Sequence, residues 1–202
     1  MSKSREQLID FIKEIDVTDK TVLDVGAGPK EKWAINLFKG IPKKYITTDI
    51  VKGFGVEVEF DLNRPQPIEF IKQQGLESDI VFCIETLEHV WNPVQAMENL
   101  SMFTKETLYI STPFINPIHD TWDYLRYTFQ WYEKVLKMFE FKKIEIYPRT
   151  ATGRNIDCEV PLPTVALEDF YNAEGMRMSK VTQKMGYGDH LLDIGYFVRA
   201  SK

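Results

Sequence analysis

The sequence predicts an α/β fold in which a mostly parallel β-sheet is covered by helices, and three observations support this prediction. Five apolar runs of strand length alternate with helical patterns in the first part of the chain. A length of 202 residues suffices for one such domain with a sizeable core, but not for two of ordinary size. The composition is 44% hydrophobic and 27% charged, which is typical of a folded globular protein. We therefore expect a single domain over residues 1–202.

The first elements follow from periodicity and from helix signals. An amphipathic pattern near the N-terminus predicts a helix, and Asn92-Pro93 predicts the start of another, because proline is favoured at the first helical position. The five predicted strands cover residues 21–25, 45–48, 56–60, 79–84 and 107–111.

The C-terminal part predicts one helix around Trp131 to Phe139 and two last strands at 142–147 and 191–200. The stretch 148–190 between these strands is too long for a hairpin turn. It is either a disordered loop or a cap over the functional site, and its aromatic and apolar content favours the cap.

Charge and cysteine content narrow the function classes. A net charge of −5 disfavours a broad phosphate-binding surface, so DNA is an unexpected partner. The two cysteines, Cys83 and Cys158, have no metal-ligand spacing, which fits a reducing compartment. No apolar run has the length of a membrane span, and the first residues do not resemble a signal peptide. We expect a cytoplasmic protein without a membrane partner.

A candidate cofactor site lies at the end of the first predicted strand. There Asp24 runs into Gly26-Ala27-Gly28, and glycine lets the backbone approach a ligand closely, so that a side chain at Gly26 or Gly28 is expected to collide with it. The third glycine of a dinucleotide fingerprint is missing, which disfavours NAD. Asp49 ends the next strand, where a carboxylate accepts hydrogen bonds from ribose hydroxyls.

Together these segments resemble class I methyltransferases that depend on S-adenosylmethionine (SAM), over roughly residues 21–113. The resemblance implies a three-layer Rossmann-like fold with a seven-stranded, mostly parallel sheet, its last strand antiparallel, and helices on both faces. It also implies that Asp24 faces the methionine end of SAM, that the glycine turn passes beneath the cofactor, and that Asp49 holds the ribose. Asp61 is expected to receive the adenine amino group while Leu62 packs on the ring, although an acid at this position is also typical of a loop cap.

The segment after the fourth strand, Glu85-Thr86-Leu87-Glu88-His89-Val90, resembles the small-molecule branch of these enzymes, the methyltransferase type 11-like group that includes quinone-pathway O-methyltransferases. The resemblance implies that Glu85, Thr86 and His89 line the SAM pocket. No Asp/Asn-Pro-Pro-Tyr/Phe strand end of DNA amino-methyltransferases is present. The predicted cofactor-binding residues are Asp24, Val25, Gly26, Ala27, Gly28, Asp49, Ile50, Asp61, Leu62, Glu85, Thr86 and His89.

One alternative is a metal-assisted RNA 2′-O-methyltransferase, because Glu85, Glu88, His89 and His119 together resemble the metal site of small-RNA enzymes. We favour the metal-free interpretation and predict no metal ligand. RNA is not excluded as a partner. A second alternative is a non-catalytic protein that binds SAM or serves only for interaction.

Catalytic candidates lie beyond the fifth strand. His119 is a possible base, since imidazole titrates near neutral pH, and it is equally well explained as a surface residue. Arg126 either holds a substrate or pairs with Asp123. Tyr124 and its aromatic neighbours Trp122 and Tyr127 either stack on a sugar or other ring or cover the core. The predicted catalytic residues are His119, Arg126 and Tyr124, and the predicted reaction is methyl transfer to an oxygen or nitrogen of a small molecule, for instance a sugar or another hydroxylated metabolite.

Overall fold

A seven-stranded β-sheet forms the centre of the computed structural model, which describes residues 3–29, 36–114, 121–150 and 193–202. The strands are β1 (Thr21–Val25), β2 (Lys44–Asp49), β3 (Val58–Glu59), β4 (Ser78–Ile84), β5 (Thr104–Pro113), β6 (Lys143–Thr150) and β7 (Asp193–Ser201). Their order across the sheet is β3-β2-β1-β4-β5-β7-β6. Strand β7 runs antiparallel to both of its neighbours, and the other six strands share one direction. The predicted sheet is therefore confirmed.

Helices cover both faces of the sheet. They are α1 (Lys3–Lys13), α2 (Ile68–Gln74), α3 (Pro93–Phe103) and α4 (Phe129–Met138). Side chains alternate along each strand, so Val22 and Phe82 belong to one apolar layer while Leu23 and Val81 belong to the other. The first layer adjoins the cluster that holds the apolar residues of α1, and the second layer includes those of α2, α3 and α4. This is the predicted three-layer arrangement.

The helix start at Asn92-Pro93 is confirmed. Asn92 is the N-cap of α3 and Pro93 its first residue. The missing N–H of proline costs nothing there, because the first N–H groups of a helix have no partner within the helix.

Strand β3 is shorter than predicted, since only Val58–Glu59 of residues 56–60 pair with β2. Two other strands are longer than predicted, for physical reasons. Strand β5 covers Thr104–Pro113 instead of the predicted 107–111, because it lies between β4 and β7 and forms hydrogen bonds along both edges. Strand β6 extends to Thr150 and includes Pro148, which an edge strand tolerates because only one of its sides is paired. Residues 148–150 thus belong to β6 rather than to the predicted cap, and the remainder of that cap, 151–190, lies outside the described residues.

The strand order indicates where a ligand-binding crevice lies. From β1 the chain builds outward to β2 and β3, and from β4 it builds in the opposite direction. The place where the direction reverses, between β1 and β4, is called the switch point. Ligands of open α/β sheets bind there, beyond the carboxyl ends of the two central strands. The residues that follow β1 and β4 therefore border the candidate site. Within the described ranges, no helix is long and apolar enough to cross a membrane.

Candidate functional site

The turn after β1 is held in a left-handed conformation that suits glycine. The φ angle is +72° at Gly26 and +64° at Gly28, and the N–H groups of Gly26 and Ala27 donate to the Thr48 carbonyl at 2.9 and 3.0 Å. A Cβ at Gly26 would lie 2.3 Å from Cγ2 of Thr86. Within the described residues, the first obstacle to a side chain at Gly26 is therefore Thr86, on the loop after β4. The predicted collision with a ligand stays a prediction.

Asp49 joins the ends of β1 and β2. Its Oδ2 accepts the N–H of Gly28 at 2.9 Å, and its Oδ1 accepts the N–H of Val51 at 3.0 Å. Ile50 beside it is 53% exposed, an unusual exposure for an isoleucine that borders a crevice. The structure thus brings together Gly28, Asp49 and an apolar surface at Ile50, three of the residues predicted to contact the cofactor.

Asp24 is buried and oriented by a residue that the sequence analysis missed. The hydroxyl of Tyr45 donates to Oδ2 of Asp24 at 2.6 Å. Burial and the nearby Asp24 charge raise the pKa of Tyr45 well above its usual range, so the hydroxyl remains a donor. Tyr45 is in register with Val22, two residues before Asp24 on the same face of the sheet. A polar-tipped aromatic residue near the start of the strand that ends in Asp49 was the available signal.

Asp61 caps its own loop. Oδ1 accepts the backbone N–H and the side-chain amide of Asn63 at 2.9 and 3.0 Å, and Oδ2 lies 3.1 Å from Nε of Arg64. Leu62 is buried in the main core. These contacts match the loop-cap interpretation of Asp61. The adenine contact stays a prediction for both residues, and the exposed Ile50 offers a more accessible apolar surface than Leu62.

Beyond β4, Glu85 adopts an uncommon backbone conformation, with φ at +49°. Its N–H donates to the Ser111 carbonyl at 2.9 Å, and the Ser111 hydroxyl donates to Oε1 of Glu85 at 2.7 Å. Arg149, from the end of β6, donates to the same oxygen at 2.6 Å. Sequence reasoning missed Arg149, since it lies 64 residues away and within the stretch that was predicted to be a cap.

Glu88 is a buried carboxylic acid on the same loop, in a short turn of 3-10 helix over Leu87–His89. It is 1% exposed, and Oε2 has no hydrogen-bond partner among the residues that the structure describes. Burial, and secondarily the charge of Glu85, raise the pKa of Glu88 to about 8. Glu88 is therefore mostly protonated at neutral pH.

The segment 121–128 is attached to the loop after β4. The Glu88 carbonyl accepts the N–H of Tyr124 at 2.8 Å, and Nδ1 of His89 lies 3.2 Å from the Trp122 carbonyl. The Tyr127 hydroxyl donates to the Leu87 carbonyl at 2.8 Å, and its ring is buried, so the core interpretation holds for Tyr127. Trp122 and Tyr124 are 56% and 49% exposed. Their backbone contacts place these two residues beside the loop that also carries Glu85.

Arg126 is paired with Asp123. One terminal N–H group donates to Oδ2 of Asp123 at 2.7 Å and the other donates to Oδ1. The hydrogen bond to Asp123 raises the pKa of Arg126. The pairing alternative is thus observed. His119 lies outside the described residues.

The metal alternative finds no support in the part of the chain that can be assessed. Glu85, Glu88 and His89 do not form a group able to hold a metal ion, and the described ranges contain no group of three or more His, Cys, Asp or Glu residues that does. The fourth residue of the set, His119, is not among them.

Similar solved structures include several methyltransferases and one [4+2]-cyclase, SpnF, all of low sequence identity. A SAM-dependent methyltransferase from Archaeoglobus fulgidus has a TM-score of 0.55 and 19% identity, over 99% of this chain and 92% of that chain. A methyltransferase in complex with the Haloferax volcanii Trm112 methyltransferase activator has a TM-score of 0.57 and 12% identity, over 98% and 88%. Phosphoethanolamine N-methyltransferase 2 from Haemonchus contortus, in complex with SAM, has a TM-score of 0.53 and 15% identity; this chain, 98% covered, spans about half of it (52%).

No protein-family model and no curated protein matches the sequence. The structural similarity extends over nearly the whole chain, and the predicted class I methyltransferase fold is confirmed. At these identities the similarity concerns the fold, and the function has to be argued from the site itself.

Proposed function

We propose that this chain is a SAM-dependent methyltransferase that acts on an oxygen or nitrogen atom of a small molecule. The observation that carries the proposal is the hydrogen bond from the Gly28 N–H to the Asp49 carboxylate, at the switch point of the sheet. A left-handed glycine turn and a partly exposed carboxylate at the ends of neighbouring strands suit a nucleoside whose ribose hydroxyls donate hydrogen bonds.

The described residues fit this cofactor. Asp49 is proposed to accept the ribose hydroxyls, Ile50 to contact the adenine, and Gly26 to lie beneath the cofactor. Asp24, oriented by Tyr45, is proposed to face its methionine end. When bound, SAM supplies a methyl group activated by a sulfonium, and S-adenosylhomocysteine is the product.

The chain's part in the reaction is mainly alignment. The acceptor's lone pair forms the new bond to the methyl carbon while the methyl–sulfur bond breaks with its electrons passing to sulfur, so acceptor and donor have to lie in line. The acceptor's proton then passes to a base, for which His119 is proposed. Arg126, engaged by Asp123, is proposed to stabilise the segment that presents Tyr124, whose exposed ring contacts the acceptor.

Calorimetry with S-adenosylhomocysteine tests the cofactor assignment. We expect saturable binding in the micromolar range or tighter, and no comparable binding of NAD. A protein that gives no binding heat with either SAM or S-adenosylhomocysteine contradicts the proposal. Turnover of SAM with any acceptor then separates an enzyme from a non-catalytic SAM-binding protein.

The RNA alternative has a separate test. A metal-assisted 2′-O-methyltransferase requires a divalent ion to polarise the ribose hydroxyl. Methylation of a short RNA that stops on addition of a chelator and returns with Mg²⁺ supports that alternative, and acceptor turnover that is unaffected by the chelator supports the metal-free enzyme.

The cytoplasm is proposed as the location of the protein, in keeping with the free thiol of Cys83.

A further inference from the structure

The carboxylate of Glu85 is fixed more firmly than a surface acid requires. Its left-handed backbone, unfavourable for a residue with a side chain, is maintained by hydrogen bonds from the Glu85 N–H to both the carbonyl and the hydroxyl of Ser111, at 2.9 and 3.2 Å. The Ser111 hydroxyl and the Arg149 guanidinium both donate to Oε1. Backbone strain that the surrounding structure maintains in this way is typical of functional positions.

Arg149 is itself held in place by the last strands. Its side chain is 5% exposed, and the guanidinium carbon lies 5.1 Å from the centre of the Phe197 ring. Gly195 leaves the room for it, because a Cβ there would lie 3.1 Å from Cδ of Arg149 and 2.5 Å from the Thr112 carbonyl oxygen. Strands β5 and β6 thus each supply a donor to the Glu85 carboxylate, and β7 packs against the arginine.

The arrangement leaves the second oxygen of Glu85 available. Both donors contact Oε1, and within the described residues no hydrogen bond to Oε2 is found, while the side chain is 32% exposed. The two donors also place the carboxylate on the β5 and β6 side of the crevice. Asp49, at the end of β2, lies on the opposite side of β1. An ion pair between a buried arginine and a partly exposed acid contributes little net stability. Stability alone therefore does not explain why Arg149 pairs with Glu85 here.

We propose that Oε2 of Glu85 binds the methyl acceptor by accepting a hydrogen bond from its N–H or O–H group, with Arg149 as the positioning residue for Glu85. This inference rests on the proposed function and deepens it. The acceptor atom then carries a hydrogen, which selects amines and alcohols over carboxylates. It also moves Glu85 from the predicted cofactor pocket to the acceptor side of the crevice.

The test compares Glu85→Gln, Arg149→Met and Arg149→Lys with the matched control Glu145→Gln. Glu145 also lies on β6 and pairs with Arg199 of β7, but away from the crevice. Calorimetry measures S-adenosylhomocysteine affinity, and S-adenosylhomocysteine release is followed with benzylamine, catechol and benzoate as acceptor probes. Binding of the same probes to the protein saturated with S-adenosylhomocysteine is measured as well.

We expect benzylamine or catechol, but not benzoate, to bind and react. Glu85→Gln and Arg149→Met are expected to raise the KM of the reacting probe about tenfold with a smaller change in kcat, because one charged hydrogen-bond acceptor is lost or misplaced. Arg149→Lys recovers part of the loss, Glu145→Gln resembles the wild type, and all variants keep their affinity for S-adenosylhomocysteine.

Three results overturn the inference. These are loss of S-adenosylhomocysteine binding in a folded Glu85→Gln variant, reaction of benzoate at a rate similar to that of the other probes, and a cofactor-binding wild type that binds neither benzylamine nor catechol. If Arg149→Met does not fold by circular dichroism, Ser111→Ala, which removes the other donor to Oε1, takes its place. A wild-type protein that fails to bind S-adenosylhomocysteine contradicts the proposed function itself, and is thereby distinguished from these outcomes.

Discussion

The two sides of the crevice are built in different ways. On the β1 and β2 side, Gly28 and Asp49 are 21 residues apart, and each belongs to a short run at the end of its own strand. On the β4 side, Glu85 is held by Arg149, 64 residues away, and Leu87 by Tyr127, 40 residues away. The first side is therefore encoded by local motifs. The second exists only once β5, β6 and β7 have completed the sheet.

The most severe test of this contrast is Gly26→Ala. Alanine at φ +72° is strained, and its Cβ would lie 2.3 Å from Thr86, so the two sides of the crevice have to separate. We expect a loss of about 3–5 kcal/mol of unfolding free energy, together with loss of S-adenosylhomocysteine binding. Chemical denaturation and calorimetry measure the two effects.

Gly53→Ala is the matched control for this change. Gly53 does not have a positive φ, and a Cβ there would meet nothing nearer than Val51 at 3.9 Å. The control is expected to behave as the wild type. Equal effects of both substitutions would contradict the importance of the turn.

The sequence predicted the fold and the glycine turn next to Asp49 because both depend on local patterns. Alternation of apolar runs and helical patterns is sufficient for a parallel sheet, and Asp-x-Gly-x-Gly specifies a turn within five residues. The roles of Tyr45 and Arg149 were not predictable in this way. Each depends on which strands become neighbours, and the arginine follows a proline that looked like the start of a loop.

The difference between the two sides is sharpened by Glu88→Gln. Because the pKa of Glu88 in the folded protein is about 8 and its ordinary value is 4.5, the folded state holds an extra proton between these values. Stability then falls by about 5 kcal/mol in total, of which about 3–4 kcal/mol is lost between pH 5 and 8, and changes little above pH 8. Glutamine removes this dependence, so the variant should be more stable than the wild type at pH 8 to 9.

Denaturation of both proteins from pH 5 to 9 checks this expectation. Glu98→Gln, on the exposed face of α3, is the control and should keep the pH profile of the wild type. A wild-type stability that does not fall between pH 5 and 8 would show that Glu88 is ionised in the folded protein.

Asp49→Asn acts on the cofactor side alone. Asparagine offers one acceptor oxygen where the carboxylate offers two, and its amide group faces the donating hydroxyls or the Gly28 N–H. We expect S-adenosylhomocysteine affinity to fall about thirtyfold, equivalent to about 2 kcal/mol, with little change in stability. Calorimetry measures the affinity.

Asp61→Asn provides the comparison for Asp49. If Asp61 only caps its loop, as its contacts with Asn63 and Arg64 indicate, asparagine is a good replacement and the affinity is retained. A fall similar to that of Asp49→Asn would instead support the predicted adenine contact.

The smallest expected effect belongs to Tyr45→Phe, which removes one hydroxyl and leaves the ring packing in place. Asp24, which is proposed to face the methionine end of SAM, loses the 2.6 Å hydrogen bond from Tyr45. We expect S-adenosylhomocysteine affinity to fall about fivefold, equivalent to about 1 kcal/mol. Tyr109→Phe is the control, because Tyr109 packs in the same cluster with its ring stacked on Phe82. If Tyr45→Phe lowers the S-adenosylhomocysteine affinity and Tyr109→Phe does not, the cofactor side also depends on contacts between strands. The two sides of the crevice would then differ only in degree.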